Sequence, residues 1–445
     1  MPTPFEAMAL ASGHAVAVGT YAVDSLWTLA LGRPTGSAVL NGGRRSCWKE
    51  GASCVWKAHG VWGEDRGKPV LLKPRYFDVG PAYFGDECFR PFLERYAEAV
   101  RSAGHPRWKV FVELPPADLG LCAFPDLRDA GAAAMIPGGG APAYVHAPHW
   151  YDQLTLFFGA YTPWVSIDAA TGAPALGRGA VTRLHEWQLA ELEAVGAAKV
   201  GAAPCLVGEV GVPFDVDGRA LYARPVAKRS DAVGKFPDGP ADAALAHTVD
   251  VLEARDLSYT LWCYEASHDD DALGDRWNRE DLSIYSRRPR AVYVPADRDP
   301  AALHFGGRAV PAFSRPYARR LAGPPTKTPR FDAATGDFDV EFSAVCDAPS
   351  EIFVPAAVHY PDGFAVDVSG GTYDVDFAGP EDGAYAVVTY HHDRSAKSHA
   401  LAVRRVGGGR AAPRRRCCGA ARPRHRGAPA APATAPLVMH QHRPL

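Results

Sequence analysis

Glu209 stands in Cys205-Leu206-Val207-Gly208-Glu209-Val210-Gly211, a short apolar run that ends in a carboxylate between glycines. Buried strands of a (β/α) barrel place catalytic groups in this way at their C-terminal rim. Three further runs end similarly: Trp108–Leu114 with Glu113, Ala143–Ala147 leading to His149 and Tyr151, and Tyr259–Tyr264 with Trp262. A glycosidic bond breaks through an oxocarbenium-like transition state, and retention of configuration needs one carboxylate as nucleophile and a second carboxyl about 5–5.5 Å away as proton donor. Glu209 suits the nucleophile. His149 and Tyr151, two apart on extended backbone, share a side and could orient it. Trp262 offers an apolar platform to a sugar ring, and Gly208 and Gly211 would let the backbone approach that sugar. A lone Glu between glycines is otherwise a turn residue, so the order of the four strand ends carries this reading.

The elements that must position these groups follow from periodicity. Apolar residues at helical spacing from Phe89 to Val100 predict a helix stopped by Gly104, and two more helices are predicted from about Arg183 to Val195 and Asp242 to Ala254. They alternate with strands at 108–114, 143–147, 205–208 and 259–264, a parallel sheet with both faces covered. An open doubly wound sheet fits that pattern too, but no Gly-rich fingerprint follows any strand, so the usual dinucleotide-binding case loses support. Residues 1–85 show no sustained period and read as a long decorated loop region. Beyond residue 325 the period changes to two, with Asp362-Gly363, Gly370-Gly371 and Asp382-Gly383 as turns, predicting a small antiparallel sandwich. The predicted organisation is therefore an α/β domain at 1–295, a linker at 296–325, a sandwich at 326–406 and a disordered basic Ala/Pro/Arg tail at 407–445.

Composition narrows the function. The 445-residue chain has a formal net charge of −2, which gives no electrostatic case for nucleic acid. Uncharged apolar runs fall short of the roughly 18 residues that span a bilayer, so no integral membrane segment is expected. The start Met1–Glu6 lacks a signal peptide's basic start and apolar core, which taken literally predicts a cytoplasmic product. Nine cysteines form neither a disulfide framework nor zinc-type pairs. No metal or other cofactor is expected. Asp269-Asp270-Asp271 beside His268 reads as an acidic loop rather than a metal cluster. Trp27, Trp48, Trp56 and Trp62 fit either a lid over a lipid or ordinary packing.

Taken together, Pro148-His149-Trp150-Tyr151-Asp152, Gly208-Glu209-Val210-Gly211, Leu261-Trp262-Cys263-Tyr264-Glu265 and the stretch Gly274–Ser283 resemble glycoside hydrolase family 5, in its branch of endoglycoceramidases and fungal glucosylceramide and steryl-glucoside β-glucosidases. The resemblance covers most of residues 1–405. It implies a retaining β-glycosidase with a (β/α)8 TIM barrel, a C-terminal sandwich and a glycolipid or glucoside substrate, with room for peripheral contact with membrane lipid. Glu209 would be the nucleophile, oriented by His149 and Tyr151, with Trp262, Glu113, Trp150 and Tyr264 lining the substrate cleft. The family's acid/base lies in an Asn-Glu-Pro after the fourth barrel strand, and this chain contains no Asn-Glu pair. The four strands look like the last four of eight, so the expected fold is the C-terminal half of the barrel followed by the sandwich, with the acid/base absent. A catalytically inactive carbohydrate- or glycolipid-binding remnant is the alternative.

Overall fold

The computed structural model describes residues 2–20, 34–78, 80, 84–113, 123–128, 144–168, 171–201, 204–216, 239–269, 274–276, 280–287, 306–379 and 383–406. The expected basic tail and Trp27 lie outside them.

The described residues among the first 85 form more regular structure than their lack of period predicts. Helix α1 (Pro4–Ala11) opens with a capping box in which Thr3 and Glu6 each satisfy the other's backbone N–H. Two hairpins follow, β1 (Val16–Thr20) with β2 (Gly36–Leu40) and, after the short α2 (Val55–Ala58), β3 (Trp62–Asp65) with β4 (Lys68–Leu71). Phe5, Met8, Trp48 and Trp56 pack on buried Cys54, Val61 and Trp62. Trp62 is thus a core residue and no lid. Its small core is assembled from scattered aromatics, which no periodic reading detects.

The central unit alternates as its patterning predicts, with shorter strands and longer helices. Helix α3 (Arg90–Ala103) precedes β5 (Val110–Val112), and β6 (Tyr144–His146) follows. Then come α4 (Gln153–Phe158), the hairpin β7 (Val165–Ile167) and β8 (Pro174–Leu176), α5 (Arg178–Lys199), β9 (Leu206–Val210), α6 (Pro240–Ala254) and β10 (Ser258–Leu261). Strand β5 pairs parallel with β6, and β9 with β10. Parallel bridges at His146–Cys205 and His149–Glu209 join the two pairs, giving the order β5-β6-β9-β10. Val110 and Val112 pack on Leu93 and Ala97 of α3, and Val207 and Val210 on Leu189, Val251 and Leu252 of α5 and α6. Alternation turns Phe111 to the opposite face of the sheet, where it is 57% exposed.

Buried histidines make this unit acid-sensitive. His146 sits against Gly196 and Phe124, and burial lowers its pKa to about 4. His185 of α5 is likewise lowered to about 4 by burial, against the pull of Asp152. A depressed pKa means the unfolded chain binds the proton first, so stability is complete above the unfolded value near 6.5 and falls as pH drops toward 4. Urea unfolding at pH 5 should show a loss of about 2 kcal/mol per histidine relative to pH 7. An unchanged midpoint would contradict the buried neutral state.

After α7 (Val310–Phe313), the sandwich comprises β11 (Tyr317–Arg320), β12 (Pro325–Asp332), β13 (Asp337–Ser343), β14 (Ser350–Val354), α8 (Ala356–His359), β15 (Phe364–Val368), β16 (Gly371–Ala378), β17 (Tyr385–His392) and β18 (Ser398–Arg405). Two antiparallel sheets, β11-β14-β17-β16 and β12-β13-β18-β15, face each other across Phe338, Val340, Phe342, Ile352, Val388, Leu401 and related residues. Strand β11 falls inside the stretch read as a linker, because Tyr317-Ala318-Arg319-Arg320 hides its alternation behind arginines. Arg315 ties the sandwich to the α/β unit. Its guanidinium bonds Asp250 and Glu253 of α6 at 2.8 and 2.7 Å.

Candidate active site

Glu209 lies within β9, not in a flexible turn after it. Val207 pairs with Tyr259 and Val210 with Leu261, so three residue steps on β9 oppose two on β10. This bulge rotates Glu209 away from the helices that cover Val207 and Val210. Thr260 fixes the distortion by donating its hydroxyl to the Gly208 carbonyl.

The carboxylate meets the groups its strand order implied. His149 Nδ1 is 2.6 Å from Glu209 Oε2 and 3.0 Å from Glu113 Oε1. The Tyr151 hydroxyl donates to Glu209, and burial together with that negative charge holds the phenol's pKa well above its usual value. Glu113 is raised above the ordinary carboxyl value by burial, opposed by His149 and reinforced by repulsion from Glu209. Two carboxylates that share one imidazole, with the Glu113 carboxyl raised, are an arrangement acid/base chemistry can use.

Other placements differ. Trp150 is only 6% exposed and packs with Leu189 and Val207 while its indole N–H donates to Gln188, so it supports the sheet from behind and cannot line a cleft. It falls between His149 and Tyr151 in sequence, and extended alternation turns it to the helix side. Tyr264, 66% exposed, leans on Tyr285 beyond the end of β10. Trp262 is half-buried, directly after β10, with its N–H on the Val210 carbonyl at 2.8 Å and a cis peptide bond to Cys263.

The flanking glycines serve the strands rather than a sugar. A Cβ on Gly208 would sit 3.0 Å from the Ala147 carbonyl oxygen, and one on Gly211 would sit 2.2 Å from that of Trp262. Gly211→Ala should therefore cost about 1–3 kcal/mol in urea unfolding, as overpacking does. Wild-type stability would show that the β9 and β10 ends are not in contact.

Sequence reasoning gave no role to Glu280. Its carboxyl is raised by burial, then by the charges of Asp275 and Glu209, which places it beside the cluster. Its place in the Gly274–Ser283 stretch was the available signal. Asp281, one residue on, is fully buried and bonds Arg308 at 2.6 Å and His268 at 2.9 Å. The Asp281 carbonyl accepts from Phe214 at 2.6 Å, and Leu282 and Ile284 exchange backbone bonds with Cys263. This segment thus clamps the ends of β9 and β10. His268 is consumed there and Asp269 pairs with Arg287, while Asp270 and Asp271 of the acidic run lie outside the described residues.

The layout is thus an α/β unit of parallel strands wrapped by helices, with a carboxylate–imidazole–phenol cluster at the strands' C-terminal ends, joined to an antiparallel sandwich. Residues 315–403 match the Glycoside hydrolase family 5 C-terminal domain. The chain is 26% identical over 376 residues to a glucosylceramidase of Rhizopus delemar, covering 80% of this chain and 50% of that protein. It is 29% identical over 283 residues to the ergosteryl-beta-glucosidase of Saccharomyces cerevisiae, covering 60% of this chain and 33% of that protein. The solved structure of Cryptococcus neoformans sterylglucosidase 1 with tris superposes with a TM-score of 0.69 at 24% identity, over 92% of this chain and 59% of that one, and so shares the fold. The resemblance to glycoside hydrolase family 5 and its glucosylceramidase and steryl-glucosidase branch therefore stands. The chain spans about half the length of the first curated relatives it matches.

Proposed function

We propose that this chain carries the nucleophile of a retaining β-glycosidase that acts on glucosylated lipids. The carrying observation is the Glu209 cluster, where an imidazole at 2.6 Å and a phenol hydroxyl fix the carboxylate at a strand end. Glu209 attacks the anomeric carbon as the bond to the aglycone oxygen breaks, forming a glycosyl ester that water then cleaves. His149 and Tyr151 hold the carboxylate and spread its charge. The relatives named as glucosylceramidase and ergosteryl-β-glucosidase support a glucoside with a lipid aglycone, and peripheral contact with a lipid surface goes with that substrate.

The four parallel strands form, in this reading, half of an eight-stranded barrel. Phe111 on the inner face of β5 is largely exposed, and Phe84 and Phe89, just before α3, stack in sequence with Phe92 and Tyr96 on it, ring centroids 5.8–6.2 Å apart and three of the four exposed. Such an apolar edge is what a neighbouring barrel segment would cover. Glycosides with poor leaving groups need a proton donor, and its loss removes about 10²–10⁴ in rate. A second reading has support in one geometry: Glu113, on the same imidazole as Glu209 and raised in pKa, is the proton donor.

Product analysis tests the proposal. NMR of a hydrolysing aryl β-glucoside should show β-glucose first, and initial formation of α-glucose would exclude a glycosyl ester. If Glu113 is the donor, Glu113→Gln slows alkyl glucosides about 10²–10⁴-fold and leaves dinitrophenyl glucosides almost unaffected.

A further inference from the structure

A cavity of about 550 Å³ lies away from the Glu209 cluster, between α5, α6 and the sandwich, with Tyr161, Arg178, His247, Arg315, His359 and Arg405 among its lining. Its charges are unequally satisfied. Arg315 is neutralised by Asp250 and Glu253, whereas neither Arg178 nor Arg405 has a carboxylate within ion-pair distance among the described residues. Arg405 comes from the last sandwich strand and lies over Gly336, where a Cβ would be 2.8 Å from its Nε. Its Nε donates to the His359 carbonyl at 2.9 Å and its Nη1 to the Ala334 carbonyl at 3.5 Å. A guanidinium bonded only to carbonyls keeps its charge uncompensated, and an oxyanion supplies the stronger charge-assisted partner.

Arg178 adds a second positive charge to the lining. Arg178 is the first residue of the 22-residue helix α5, whose N-cap Gly177 provides no side-chain acceptor. Thr182, in the next turn, also lines the cavity. A cation at the positive end of a helix is unfavourable alone and is relieved by an anion in front of it. Arg178 is held there over the ring of Trp164, 4.9 Å from its centroid. The rest of the lining is mixed: Tyr161, Ala246 and the Ala333–Ala334 turn are apolar, while Thr182, His247, His359 and the Asp250 carboxylate that pairs with Arg315 are polar.

We propose that this cavity is a second ligand site, which takes the carboxylate or phosphate group of a small molecule with an apolar body. The oxyanion sits between Arg178 and Arg405, and the body lies along Tyr161 and the alanines. Calorimetry with phenyl phosphate, benzoate, inorganic phosphate and phenol tests it on the whole chain. One equivalent of phenyl phosphate or benzoate should bind at least 10-fold more tightly than either inorganic phosphate or phenol, and whichever aryl anion wins identifies the group. Arg178→Ala, an exposed position that leaves the folded state intact, should weaken binding at least 10-fold, and Arg405→Gln should do the same with Glu209→Gln unchanged. Absence of binding, phenol binding as well as the aryl anions, wild-type affinity in Arg178→Ala, or loss of binding in Glu209→Gln alone would each overturn the assignment.

Discussion

Glu209→Gln abolishes turnover of aryl β-glucosides, with kcat/KM falling on the order of 10⁴–10⁶-fold, the range for loss of a nucleophile. The amide keeps the shape of the side chain and its contact with Tyr151 but cannot form the ester. Its neighbours predict much smaller effects: Tyr151→Phe removes a single hydrogen bond to a charged group, worth about 1.5–3 kcal/mol and so roughly 10–10²-fold. Azide separates the roles further. With Glu209→Ala, azide enters the vacated face and displaces the aryl group with inversion, giving α-glucosyl azide. Were Glu113 the acid/base, azide with Glu113→Ala would intercept the ester and give the β-azide instead. Full activity of Glu209→Gln would transfer the chemistry to another carboxylate.

Asp281→Asn should destabilise the α/β unit by about 3–5 kcal/mol, because it strips the counter-charge from Arg308, which is 1% exposed. Arg308 also donates to the Ser283 carbonyl at 2.8 Å and lies 4.3 Å from the centroid of Phe214. The ion pair therefore secures the strap that holds the ends of β9 and β10 together. Replacing both partners, as Asp281→Leu with Arg308→Met, should cost less than either single change, since no buried charge then stands alone. Urea unfolding followed by tryptophan fluorescence measures all three. Additive losses in the double variant would show that the two side chains do not depend on each other.

The geometry of the Glu209 cluster was legible because periodicity and spacing are local. The alternation of α3, β5, β6, α5, β9, α6 and β10 follows from short apolar runs between amphipathic segments, and residues two apart on extended backbone bring His149 and Tyr151 to one side. The same alternation, applied to Trp150, would have turned it inward. What sequence could not supply were the non-local terms. The bulge that aims Glu209 depends on register with β10, the contacts of Gly208 and Gly211 depend on neighbouring carbonyls, and the core around Trp62 joins residues dozens of positions apart. Strand β11 was concealed for a related reason: its partner β14 lies some thirty residues ahead and sets its place in the sheet.

The most direct measurement is to trap the glycosyl ester. A dinitrophenyl 2-deoxy-2-fluoro-β-glucoside needs no proton donor to lose its phenolate, and its fluorine slows hydrolysis of the ester that forms. Peptide mapping after incubation should find one sugar on the fragment containing Gly208-Glu209-Val210, and none on the Glu209→Gln chain. A sugar attached to Glu113 or Glu280, or a chain that stays unlabelled while it turns over other glucosides, would contradict the account.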